Sequence, residues 1–206
     1  QYSGISDVLV RTEKDLIQKN YVPITSLGIA GVENVDYYTV VSYPHIALKD
    51  VVWISFLTTS GLAFTTTQRK EFLDWFSKRQ FDGSTIKIQD PVKNFVELSI
   101  TLNCLKDADI IVAKTLASTS IENMFSTSKP MLSRKIVMQD IYDTLSEDLK
   151  DYLDYASIHA TLDGNSVTEL IPTYAKIDSL GFPVAPGYLY LNKLTITSVT
   201  TDRSKR

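Results

Sequence analysis

Two histidines, His45 and His159, are the side chains in this sequence whose ordinary pKa suits them to proton transfer near neutrality. Hydrolytic chemistry needs such a base beside a nucleophile, with an acid such as Asp50 or Asp163 to orient it. His45 follows Pro44 in a predicted loop, and His159 stands between Ile158 and Ala160 in a predicted strand. Neither falls in a nucleophile motif, so both read as ordinary surface or sheet histidines. Cys104, the one cysteine, extends the apolar face of a strand ending at Leu102, which predicts a buried small hydrophobe rather than a reactive thiolate. Alone, it can form no internal disulfide and no zinc cluster.

Asp140, Asp143, Glu147, Asp148, Asp151 and Asp154 concentrate negative charge. Magnesium or calcium would need such oxygens to converge in space. Asp140, Asp143, Glu147 and Asp151 instead step by three and four, which predicts the solvent face of an amphipathic helix. Asp163-Gly164-Asn165 resembles a piece of a calcium loop, but Tyr174 stands where an EF-hand requires its twelfth-position glutamate, so a turn is predicted. Gly28-Ile29-Ala30-Gly31 lacks the lysine of a phosphate loop and the third glycine of a dinucleotide site. No metal or cofactor site and no catalytic residue emerges.

The aromatic residues point elsewhere. Tyrosines pair as Tyr37-Tyr38, Tyr152 with Tyr155, and Tyr188 with Tyr190. On a strand Tyr188 and Tyr190 share one face while Leu189 and Leu191 take the other, so either one face is an outward aromatic surface suited to protein contact or the strand is buried on both sides. Trp53, Trp75 and the tyrosines allow a ligand-binding tail domain as another alternative, but Trp75 lies in a helix stripe and is predicted to be core.

The elements that must hold these groups follow from periodicity. Thr12-Glu13-Lys14-Asp15 opens a short helix closed by Asn20, and a turn-rich connector runs through Gly28 and Gly31. Two strand-like runs, 32–41 and 51–58, are read as a hairpin. Thr65 with Gln68 starts a helix whose stripe is Phe72, Leu73, Trp75 and Phe76, ending at Asp82-Gly83. Ile86 and Ile88 mark a short strand. Val96, Leu98, Ile100 and Leu102 alternate with Glu97, Ser99, Thr101 and Asn103 as the clearest strand. Asp107 or Asp109 caps a helix carrying Ile110, Ala113, Ala117, Ile121 and Met124. Ser128-Lys129-Pro130 breaks the chain, a third helix spans 136–149, and extended segments follow at 152–162, 169–177 and from Leu189 to the end, with a proline-punctuated loop at 181–187.

This order is strand, helix, strand, strand, helix, further helix, strand. It predicts an α+β fold with helices on one face of antiparallel sheets, arranged as ferredoxin-like split β-α-β units. The extra helix allows a second lobe. The expected division is a linker and short helix over 1–30, an α+β domain over 31–134, a second α/β lobe over 135–200, and a flexible basic tail over 201–206.

Composition bounds the function. The 206 residues are 44% hydrophobic and 22% charged, enough for one large domain or two small ones. With 21 basic against 24 acidic side chains the net charge is −3, contrary to what a nucleic-acid groove requires. No apolar run approaches the roughly 20 residues that span a bilayer. The chain begins Gln1-Tyr2 without a methionine or a signal-peptide layout, which is expected of a processed product or of a piece of a longer protein, and the latter is the reading taken.

The motifs, taken in order, resemble a known family. Arg11-Thr12-Glu13-Lys14-Asp15-Leu16 and then Gly31-Val32-Glu33-Asn34-Val35 resemble the opening of the baseplate J-like wedge proteins of contractile-tailed bacteriophages. The resemblance continues through Lys78-Arg79-Gln80-Phe81-Asp82-Gly83, the strand pair around Asp90-Pro91, the helix after Asp107, Gln139-Asp140-Ile141-Tyr142, and Pro186-Gly187-Tyr188-Leu189-Tyr190-Leu191, covering about residues 11–199. It implies the C-terminal part of a non-enzymatic baseplate wedge subunit. Such a subunit associates with copies of itself, as a dimer or in ring contacts, and with other wedge proteins and tail tube or sheath components. It is assembled in the host cytoplasm and resides in the virion, without cofactors, nucleic acid or membrane. An enzyme of other class, using His45 or His159, is the alternative.

Overall fold

A computed structural model describes residues 4–12, 51–78, 85–126, 131–172 and 185–201. Outside them lie the helix expected after Thr12, the glycine connector, the strand at 32–41, His45, Asp50, Asp82-Gly83, the breaker at 128–130 and the basic tail 203–206.

The described elements fall into two compact units. In the first, β1 (Ile5–Arg11) pairs antiparallel with β2 (Val51–Thr58), and β2 pairs parallel with β3 (Thr85–Ile88). Between β2 and β3 runs α1 (Thr66–Ser77). A parallel pair needs such a crossover to return the chain in the same direction. Thr65 caps α1 as expected: its hydroxyl accepts from the Gln68 N–H, while the Gln68 side chain accepts from the Thr65 N–H. Ile54, Phe56, Phe64 and Phe72 form the core, with Phe56 stacked on Phe64 at 4.5 Å and edge-on to Phe72 at 4.8 Å.

The second unit holds a four-stranded sheet in the order β7-β6-β4-β9, made of β4 (Val92–Cys104), β6 (Leu153–Leu162), β7 (Asn165–Val167) and β9 (Gly187–Thr200). β4 and β6 are antiparallel and matched from Val96↔Leu162 to Asn103↔Tyr155. β9 advances with β4: Asn192 bonds Glu97, Thr197 bonds Thr101, and the Thr201 N–H reaches the Cys104 carbonyl, so these two strands run parallel. Two helices, α2 (Ile110–Met124) and α3 (Met138–Asp148), lie between β4 and β6 in sequence and pack on each other. Asp109 caps α2 by accepting from the N–H groups of Ile111 and Val112. Ala113, Ala117 and Ile121 of α2 and Ile141 and Leu145 of α3 are buried. A two-residue ribbon, β5 (Ile136–Val137) with β8 (Glu169–Leu170), closes the unit and buries Ile136 and Leu170.

The fold is α+β. It departs from the expected version in three ways. The sheets are mixed rather than purely antiparallel, because β2–β3 and β4–β9 run parallel. The expected split β-α-β-β-α-β order is divided between two sheets, since β2 and β3 belong to one and β4 and β6 to the other. A cut at 134/135 would separate β4 and α2 from β6 and α3, which share one sheet and one core; the first unit's leading segment instead ends at Val92, and Lys93 begins the second.

Candidate functional site

Alternation along β4 and β6 gives their sheet two unlike faces. Val96, Leu98, Ile100 and Leu102 are buried with Ala160, while Phe95, Glu97, Ser99, Tyr155, Ser157 and His159 are exposed. The open face carries three large aromatics: Phe95 is 45%, Tyr155 53% and Tyr190 38% exposed. Phe95 meets Tyr190 edge-on at 6.0 Å, and the Lys93 ammonium stands 4.6 Å above the Tyr190 ring. Tyr188 and Tyr190 therefore part company. Tyr188 and Leu189 are both buried, so the start of β9 is covered on both sides, and only Tyr190 reaches solvent.

His159 is exposed on this face opposite Ser99. It borders an open depression of about 580 Å³ with Ser166, Thr168, Glu169 and Ile171. Its Nε2 lies 3.4 Å from the Ser166 hydroxyl, at the outer limit of a hydrogen bond. Glu169, in the same depression, pairs with Lys135 at 2.8 Å, and Asp163, the acid the sequence suggests for this role, accepts from the Asn94 amide and the Phe95 N–H. Serine and imidazole are thus adjacent, and among the described residues no carboxylate hydrogen-bonds the ring.

Asp163-Gly164 is the predicted turn, joining β6 to β7 with both residues at positive φ, 49° and 82°, as a two-residue hairpin of the primed type requires. The acids of α3 behave as a solvated face. Asp140, Asp143 and Glu147 are exposed; Asp140 accepts from the Val137 N–H, Asp143 from Gln139, and Asp148 from the Ser120 hydroxyl. Asp151 lies past the end of that helix, in a turn. Among the described residues no three His, Cys, Asp or Glu side chains group as metal ligands. Cys104 is fully buried, and burial pushes its thiol up, offset in part by the Lys114 ammonium.

Trp75 corrects the sequence reading. It is 46% exposed, and Leu73 38%, because the buried side of α1 is centred on Phe72, which leaves its neighbours in the stripe at the margin. Trp53, by contrast, is buried, with Lys87 5.1 Å over its ring.

Tyr188 supplies a pH dependence. Burial first, and the neighbouring Tyr190 second, push its phenol up to about 12. The unfolded chain ionises near pH 10, before the folded one, so stability is intact below pH 10 and falls as pH rises toward 12. The expected loss from this group is about 1.4 kcal/mol by pH 11. Urea unfolding at pH 9 and 11 measures it, and Tyr188→Phe should remove that increment.

No helix among the described residues is long and apolar enough to cross a membrane. No protein-family model matches the chain. A search of curated proteins likewise finds no match.

Proposed function

We propose that this chain is a structural and interaction domain of a contractile-tail baseplate wedge, of the J-like type its motifs resemble. It works by self-association and by contact with other wedge, tube or sheath proteins in the virion. The observation that supports this reading best is the open sheet face, where Phe95, Tyr155 and Tyr190 stand exposed among serines and threonines. Exposed aromatics on a rigid, regular surface are the side chains that contribute most to protein interfaces.

Light scattering on chromatographic fractions across a range of protein concentrations tests the reading. The mass is expected to rise to a dimer or larger ring fragment. Phe95→Glu with Tyr155→Glu is expected to weaken that association at least about tenfold. A chain that stays monomeric at high concentration counts against it.

A further inference from the structure

β9 is an edge strand: β4 takes one side of it, and among the described residues no strand takes the other. Since the Thr201 N–H points to β4, alternation turns the main-chain groups of Ile196 and Ser198 outward. The usual protections of an edge are sparse here. The run Leu194-Thr195-Ile196-Thr197-Ser198-Val199-Thr200 has no proline, no glycine and no charge. Beside this edge lies an open groove of about 430 Å³, with Lys114, Thr115, Ser118 and Thr119 of α2 on one wall and Leu194 and Ile196 of β9 on the other. An edge strand flanked by a helix is the geometry that accepts an added strand, main chain to main chain, with alternate side chains entering the groove.

We propose that this groove binds an extended segment of another protein, added alongside β9. Its inward side chains are β-branched or aliphatic where they meet Leu194 and Ile196, and one is a carboxylate where it meets Lys114. Charge favours a different chain as the occupant over a second β9. Lys114 makes no ion pair among the described residues, and residues 187–201 carry no acid to offer it. The groove lies on the helix side of the sheet, so it is independent of the aromatic face invoked for self-association.

The test uses the whole chain and a fluorescein-labelled, end-blocked heptapeptide of alternating threonine and valine with one central glutamate, read by fluorescence anisotropy. Saturable binding is expected, roughly fivefold weaker when lysine replaces the glutamate. Lys114→Glu should invert that preference. N-methylation of alternate peptide amides, which blocks the ladder, should abolish binding. Ser198→Pro, which removes an outward N–H while leaving the β4 pairing, should do the same with the circular dichroism spectrum unchanged. Three results overturn the proposal. One is no saturable binding at millimolar peptide; another is equal binding of the N-methylated peptide. The third is self-association of the unaltered chain that Ser198→Pro abolishes, which makes the occupant a second copy.

Discussion

Ile100→Ala is expected to lower the unfolding free energy by about 2–5 kcal/mol, the range for deleting a large aliphatic side chain in a close-packed core. Ile100 is completely buried and lies opposite Ile158 in the β4–β6 register. On either side the pairing sets Leu98 against Ala160 and Leu102 against Ala156, and in a close-packed interior neighbours relax only partly into a vacated volume. The adjacent Ser99→Ala, on the open face, should stay within about 0.5 kcal/mol. Urea midpoints with unchanged slopes measure both. If Ile100→Ala costs no more than Ser99→Ala, the assignment of the two faces is wrong.

Asp163→Ala is expected to cost about 3 kcal/mol. The carboxylate accepts at 2.8 Å from the amide of the buried Asn94 and at 2.7 Å from the Phe95 N–H, so truncation removes two charge-assisted bonds from the hairpin end. Alanine also tolerates the left-handed backbone at this position less well than aspartate, which makes up ~1 kcal/mol of that cost. Asp163→Asn retains the turn preference and an acceptor and should recover about half of the loss. Thermal melts at constant pH separate the three proteins. A loss in Asp163→Ala no greater than that in Asp163→Asn would sink the account.

The elements legible in the sequence are those whose local signal and tertiary environment agree. β4 alternates because one face is buried and one is open, and its residue pattern states this directly. Thr65 and Asp109 announced their helices because a capping side chain works over three residues, without help from the rest of the fold. β1 gave no such signal. Its register shifts between Ile5 and Asp7, its apolar residues run together at Val8-Leu9-Val10, and it ends in the buried Arg11, a residue that sequence rules place on the surface. Ile136 read as helix because it continues the stripe of Ile141 and Leu145, yet Ile136-Val137 pairs with Glu169-Leu170, a partner that spacing along the chain cannot reveal. The same limit hid the β4–β9 pairing, and with it the groove: α2 and β9 are remote in sequence, and only the sheet order brings Lys114 beside Leu194 and Ile196. His159 next to Ser166 arises likewise, from the β6–β7 hairpin register.

The parallel docking of β9 also sets a time order. Thr101 and Thr197 meet across 96 residues, whereas the β6–β7 hairpin closes over two. Hairpins of that size form in microseconds, and pairings of such long range must wait for most of the chain to collapse. Throughout that interval β4 is itself an edge, thirteen residues long, with a row of unpaired amides available to any other unfinished molecule. Recovery of native protein from the unfolded state is therefore governed by how dilute the chains are while β4 waits, more than by how stable the finished fold is.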